Sequence, residues 1–283
     1  MLKKIYYKLP FFIQNILNKS ASRFISSIED DFVSNDYGNA FGLNKNDRIK
    51  IINRIRYNFT KIDSATSILS HLELVKKILS LSTNNNGYLV ECGCYKGATS
   101  VTLSIAASIT GRKLIIYDSF EGLPDDDIEI TKRYYPHISL TGKYEKGMYS
   151  GNFNEVKNNL KIYGELDDTI LRKGFFSESL KSHKERIDFL FLDVDLISST
   201  KDCIVHLWKY INDESFIYTD DACDIDVVRV WFDDNWWLKN ISSKSPGYVG
   251  SGCGLPLNSN FSSLGYTIKN PNVENYIKPE WLV

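Results

Sequence analysis

Tyr88-Leu89-Val90-Glu91-Cys92-Gly93-Cys94-Tyr95-Lys96-Gly97 opens the stretch that decides the fold, and Leu114-Ile115-Ile116-Tyr117-Asp118 closes it. The first run reads as a short buried strand over 88–91 followed by a glycine turn. A helix over 98–110 comes next, and the closing run is a second strand that ends in an acid. The same alternation continues downstream, with a helix over 152–163, a strand over 169–172 and helical turns over 177–184. Ile187-Asp188-Phe189-Leu190-Phe191-Leu192-Asp193 is the strongest strand in the chain, its helix covers 198–210, and a further strand at 216–219 ends in Asp220-Asp221. Short strands alternating with helices predict an α/β fold with a mostly parallel sheet covered on both faces.

Working outward, the first 85 residues differ in character. Ile68, Leu69, Leu72, Leu74, Val75, Ile78 and Leu79 recur at three- and four-residue spacing and predict an amphipathic helix over 64–81. The expected organisation is an N-terminal helical extension over 1–85 and an α/β domain over 86–283. Lys3, Lys4, Lys8, Lys19 and Arg23 precede the first acid, Glu29. A basic stretch with aromatic residues could lie on an anionic membrane surface; a helix packed on the domain or across a dimer interface is the favoured reading.

Of 283 residues, 43% are apolar and 24% charged, which excludes a disordered, collagen-like or disulfide-scaffold chain. The 34 basic and 35 acidic residues leave a net charge of −1, so bulk electrostatics give a nucleic-acid partner no support. Five cysteines are scattered without zinc-type spacing, which fits reduced intracellular thiols. No apolar run approaches the roughly 20 residues that cross a bilayer, and the start lacks a signal-peptide core. A soluble, cytoplasmic protein is expected. The heavy use of Ile, Lys and Asn suggests an AT-rich bacterial genome.

In an open parallel sheet the ligand binds outside the carboxyl ends of the strands. Glu91, Asp118, Asp193 with Asp195, and Asp220 with Asp221 all stand there. Each alone reads as a helix cap or turn residue; four strands ending in acids on one edge point to a site. The first turn lacks the GxGxxG of dinucleotide folds. Glu91, two residues before Gly93, would repel a pyrophosphate and suit a cationic amine. The turn through Gly93, Tyr95, Gly97 and Thr99 leads into a helix N-terminus that can receive a carboxylate. An amino-acid moiety carrying both charges, as in S-adenosylmethionine, fits this turn. Asp118 stands where a nucleoside ribose is held. Asp193, Asp195, Asp220 and Asp221 would repel one another unless a cation sat between them, and all-oxygen ligands select magnesium first, then calcium or manganese.

Val90-Glu91-Cys92-Gly93, Asp118-Ser119-Phe120-Glu121-Gly122-Leu123-Pro124, Gly174-Phe175-Phe176, Leu192-Asp193-Val194-Asp195-Leu196 with Ser199-Thr200, and Asp220-Asp221 occur in that order. This set resembles the macrocin O-methyltransferase family, whose members methylate sugar hydroxyls with S-adenosylmethionine and magnesium. The resemblance covers about 87–232 and implies the class I methyltransferase fold, a seven-stranded sheet flanked by helices. It implies Glu91 and Gly93 for the methionine portion, and Asp118 with Ser119 for the ribose. Gly174, Phe175 and Phe176 would lie beside the adenine. Asp193 or Asp195, with Asp220 and Asp221, would bind the metal. A homodimer is implied in the same way. The chain departs from the family at Ile197, where a tyrosine is usual, and at Ala222-Cys223, where Tyr-Gly is usual.

Related catechol-type enzymes carry a lysine base three residues after the first metal-strand aspartate, where this chain has Leu196. Asp195, His137 and water on the metal remain as bases. The long loop over 121–149 reads as a lid or binding loop. Its Tyr134, Tyr135, Tyr144 and Tyr149 suit stacking on sugar rings or packing the loop down. Trp231-Phe232 and Trp236-Trp237 read as core or dimer contacts. The expected acceptor is a sugar hydroxyl of a glycosylated metabolite or polysaccharide precursor. A nicotinamide-dependent sugar oxidoreductase and an inactive methyltransferase-fold scaffold are the competing readings.

Overall fold

The computed structural model describes residues 27–84, 86–125, 132–135, 140–255 and 263–269. His137 and the basic stretch before residue 27 lie outside the described residues, as do the side chains of Tyr134 and Tyr135.

Helix α1 (Lys45–Phe59) starts with a reciprocal capping box between Asn44 and Asp47. Helix α2 (Ile68–Ile78) is capped by Ser67, whose hydroxyl accepts from the Ser70 N–H at 3.1 Å. It begins four residues later than its apolar spacing predicts, because residues 64–66 turn away to meet α2 side chains. Strand β1 (Tyr88–Cys92) leads through the glycine turn to α3 (Ala98–Ile109) and then β2 (Leu114–Asp118). A two-stranded hairpin, β3 (Lys132–Tyr135) with β4 (Leu140–Lys143), interrupts the stretch expected as an unbroken loop. Then follow α4 (Phe153–Tyr163), β5 (Thr169–Lys173), the short α5 (Phe176–Ser179), β6 (Ile187–Leu192) and α6 (Ile197–Leu207). Strand β7 (Ile211–Thr219), α7 (Ile225–Val228), α8 (Asp234–Ile241) and β8 (Gly265–Lys269) complete the described elements.

The main sheet has the order β5-β2-β1-β6-β7-β8. Its first five strands pair in parallel and β8 runs antiparallel on the edge. Among the described residues it holds six strands, one fewer than the seven expected. The chain builds outward from β1 to β2 and β5, then returns to lay β6 and β7 on the other side. The crevice at that reversal opens at the carboxyl ends of β1 and β6.

Strands β2 and β6 are buried along their whole length, as strands covered on both faces must be. Leu89, Ile116 and Phe189 pack on one face against Ile55 of α1, Leu72 of α2, Val101 of α3 and Leu160 of α4. Val90, Ile115 and Leu190 pack on the other against Cys203 and Leu207 of α6 and against Trp231 and Trp237. The tryptophan cluster is therefore core. No helix among the described residues is long and apolar enough to cross a membrane.

Candidate active site

Asp118, Asp193, Asp195 and Asp220, at or just past the strand ends, help frame one cavity. Gly93 and Tyr95 come from the turn after β1, and Asp118 and Ser119 from the end of β2. Phe175, Phe176 and Ser177 close the side beyond β5. Asp193, Val194 and Asp195 follow β6, and Ser198, Ser199 and Asp202 belong to the first turns of α6. Asp220 follows β7, while Leu123, Pro124, Met148 and Tyr149 form the outer wall. Among the described lining residues five are aspartates and none is basic.

Local backbone chemistry builds each wall. Gly93 has φ 84°, and a Cβ there would stand 1.8 Å from the Asp193 carbonyl oxygen, so only glycine lets the β1 turn and the β6 end touch. The Gly93 N–H donates to the Tyr117 carbonyl and the Asp193 N–H to the Cys92 carbonyl, both at 2.9 Å. Asp118 is buried, and each carboxylate oxygen takes a backbone donor: Cys94 N–H at 2.7 Å and Phe120 N–H at 2.6 Å. Burial still raises its pKa. Ser119 folds the next turn, its hydroxyl donating to the Gly122 carbonyl and accepting from Glu121 N–H. Leu123 and Met148 then pair through Leu123 N–H to the Met148 carbonyl, which brings Met148 and Tyr149 over the cavity. Six described non-glycine residues have positive φ; Tyr95, Tyr149 and Asp195 among them line the cavity. Such strain gathers at functional sites.

Asp193, Asp195 and Asp221 each bring one carboxylate oxygen within 4.8 Å of the others. Asp221 is 5% exposed and accepts from the Asp195 N–H at 3.3 Å. Burial raises its pKa far above the usual carboxylate range, and the charges of Asp195 and Asp193 raise it further. Close carboxylates in that state call for protons or a cation. Asp220 lines the cavity but stands outside this group of three.

Glu91, Gly97, Thr99 and Gly174 are not on the cavity wall. Glu91 is fully buried behind the turn; it accepts from the Ser100 hydroxyl at 2.5 Å, and burial pushes its pKa up to about 8. Gly97 caps α3 with φ 86° and packs on Val156. Thr99 faces Thr66 and His71. Gly174 donates its N–H to the Asp118 carbonyl, which seats Phe175 beside the cavity. Sequence reasoning did not find Ala65, Met148 or Asp202, because none of them belongs to a motif. Tyr144 packs inward, buried with Leu123 and Leu196, its hydroxyl donating to Asp224.

Residues 53–244, more than half of the chain, match the family model described as macrocin-O-methyltransferase (TylF). A relative from Streptomyces olivaceus, 8-demethyl-8-(2,3-dimethoxy-alpha-L-rhamnosyl)-tetracenomycin-C 4'-O-methyltransferase, is 29% identical over 153 residues. That alignment covers 50% of this chain and 55% of the relative, so the chain spans about half the length of the curated relative it matches. Among solved structures, the O-methyltransferase NovP superposes with a TM-score of 0.54 at 18% identity, over 73% of this chain and 83% of that one. The calicheamicin methyltransferase CalS11 gives 0.46 at 14% identity, over 78% and 92%. The likeness to NovP shows a shared fold and bears out the class I methyltransferase architecture that the family resemblance implies.

Proposed function

The chain belongs to the macrocin O-methyltransferase family, and on that premise we propose that it transfers a methyl group from S-adenosylmethionine to a sugar hydroxyl with the help of a divalent cation, magnesium first. The observation that carries this reading is a cavity with five lining aspartates and no basic side chain among its described lining residues. Such a wall attracts a sulfonium cation and repels the pyrophosphate of a nicotinamide dinucleotide. The rhamnosyl group in the relative's name supports a deoxyhexose of a glycosylated metabolite or polysaccharide precursor as the acceptor.

Bound S-adenosylmethionine supplies the electrophilic methyl carbon, and a bound cation supplies Lewis acidity toward the acceptor hydroxyl. The protein's own residues do the positioning. Gly93 and Tyr95 contact the methionine portion, Asp118 and Ser119 accept the ribose hydroxyls, and Phe175 and Phe176 flank the adenine. Asp193 and Asp221 hold the cation. Asp195, the third carboxylate of the group, faces the cavity and accepts the acceptor's proton on a carboxylate oxygen. Met148, Tyr149 and Leu123 keep water from the reacting oxygen.

The test is transfer of a labelled methyl group from S-adenosylmethionine to a panel of glycosides that includes rhamnosides. Transfer with magnesium, lost on EDTA treatment and restored by added magnesium, is expected. Transfer that survives exhaustive chelation would remove the metal from the reading; absence of S-adenosylhomocysteine binding would remove the methyltransferase.

A further inference from the structure

His71 is fully buried in α2. Its ring lies edge-on to Phe59 at 4.6 Å between centroids, and both ring nitrogens have hydroxyl partners. Nδ1 is 2.8 Å from the Thr102 hydroxyl, and Nε2 is 2.8 Å from the Thr66 hydroxyl and 3.3 Å from that of Thr99. The Thr102 hydroxyl is also 3.4 Å from the Ala98 carbonyl of its own helix. The oxygen of Thr66 is in turn 2.9 Å from the Ser64 hydroxyl. Burial drives the ring's pKa down to about 3, so the imidazole is neutral at physiological pH and donates at one nitrogen while accepting at the other.

The network joins two walls. Thr66 adjoins Ala65, which lines the same cavity as Gly93 and Tyr95. Thr99 and Thr102 belong to the first turns of α3, the helix whose N-terminus follows the glycine turn. We propose that His71 is a positioning residue for the amino-acid end of the cofactor, holding the 64–66 segment against the first turn of α3 so that Ala65 and the glycine turn form one binding edge. This rests on the reading of the cavity as an S-adenosylmethionine site. A neutral imidazole that donates at one nitrogen and accepts at the other fixes the spacing and direction of both partners, which apolar packing does not do.

Binding of S-adenosylhomocysteine and of 5'-methylthioadenosine, which lacks the amino-acid end, separates a positioning role from a structural one. For His71→Leu, calorimetry should show affinity for S-adenosylhomocysteine falling about tenfold while that for methylthioadenosine stays within about twofold. His71→Gln, which keeps one donor and one acceptor, should recover most of the loss. Thr66→Val, which cuts the network at its cavity end and keeps His71 in place, should repeat the selective loss even if His71→Leu folds poorly. Equal losses for both ligands, or none, would overturn the proposal. A wild-type protein that binds neither ligand would instead sink the methyltransferase reading itself.

Discussion

Gly93 shows how much one residue can settle. Its missing side chain lets the Asp193 carbonyl approach, and that contact places the carboxylates after β6 beside the turn after β1. Gly93→Ala should lower stability by about 2 kcal/mol or more, read from urea unfolding, and should abolish S-adenosylhomocysteine binding. Asp195→Asn should keep S-adenosylhomocysteine binding and lower kcat by about 10²-fold or more. Asp221→Asn should instead weaken the magnesium dependence, which a metal titration of activity would show. Glu91 gives a pH signature, since its folded pKa of about 8 lies above the ordinary 4.5. Between those values the unfolded chain has released the proton and the folded chain has not, so this group's contribution to stability declines as pH rises. Glu91→Gln should therefore flatten the loss of Tm between about pH 4.5 and 8 relative to wild type. At this scale the acids were legible because each ends a strand. Asp118, Asp193, Asp195 and Asp220 do line the cavity. Glu91 does not, because alternation along β1 turns it inward to Ser100. His71 showed no partner in sequence, since its three threonines lie 5 to 31 residues away.

Elements were legible where apolar runs are short and bounded by glycine or polar residues. Strand β2 falls on its predicted residues, 114–118, and β1 extends one residue past its expected end. Strand β7 begins at Ile211 rather than 216, because Asn212, Asp213 and Glu214 interrupt the apolar run. In the structure Glu214 takes φ 63° and the register against β6 shifts, so the polar residues sit in a bulge of a continuing strand. The hairpin β3–β4 has no clean alternation of apolar and polar residues, which hid it. Ala222, where the family usually has tyrosine, is fully buried; its N–H donates to the Ser263 carbonyl and its carbonyl accepts from Gly252 N–H. Backbone bonds from residues 252 and 263 thus hold that position in place. Capping carries its own prediction: Asn44→Ala, which removes both the acceptor for the Asn46 and Asp47 N–H groups and the capping box, should cost about 1 kcal/mol in thermal unfolding without altering ligand binding.

At the scale of the whole molecule, two apolar layers clamp a mostly parallel sheet, and the cavity aspartates gather beyond the carboxyl ends of its strands. Helices α1 and α2, N-terminal to the sheet, share the first of these cores with α3, and through Ala65 they reach the cavity. On the proposed reading, the crevice at the strand-order reversal takes an S-adenosyl cofactor rather than a nicotinamide dinucleotide. Thermal unfolding with S-adenosylhomocysteine and, separately, with NAD tests that claim most directly. At about 100 times its dissociation constant S-adenosylhomocysteine should add about 2.7 kcal/mol and raise Tm by a few degrees, while NAD leaves Tm unchanged. A rise with NAD and none with S-adenosylhomocysteine would contradict the account.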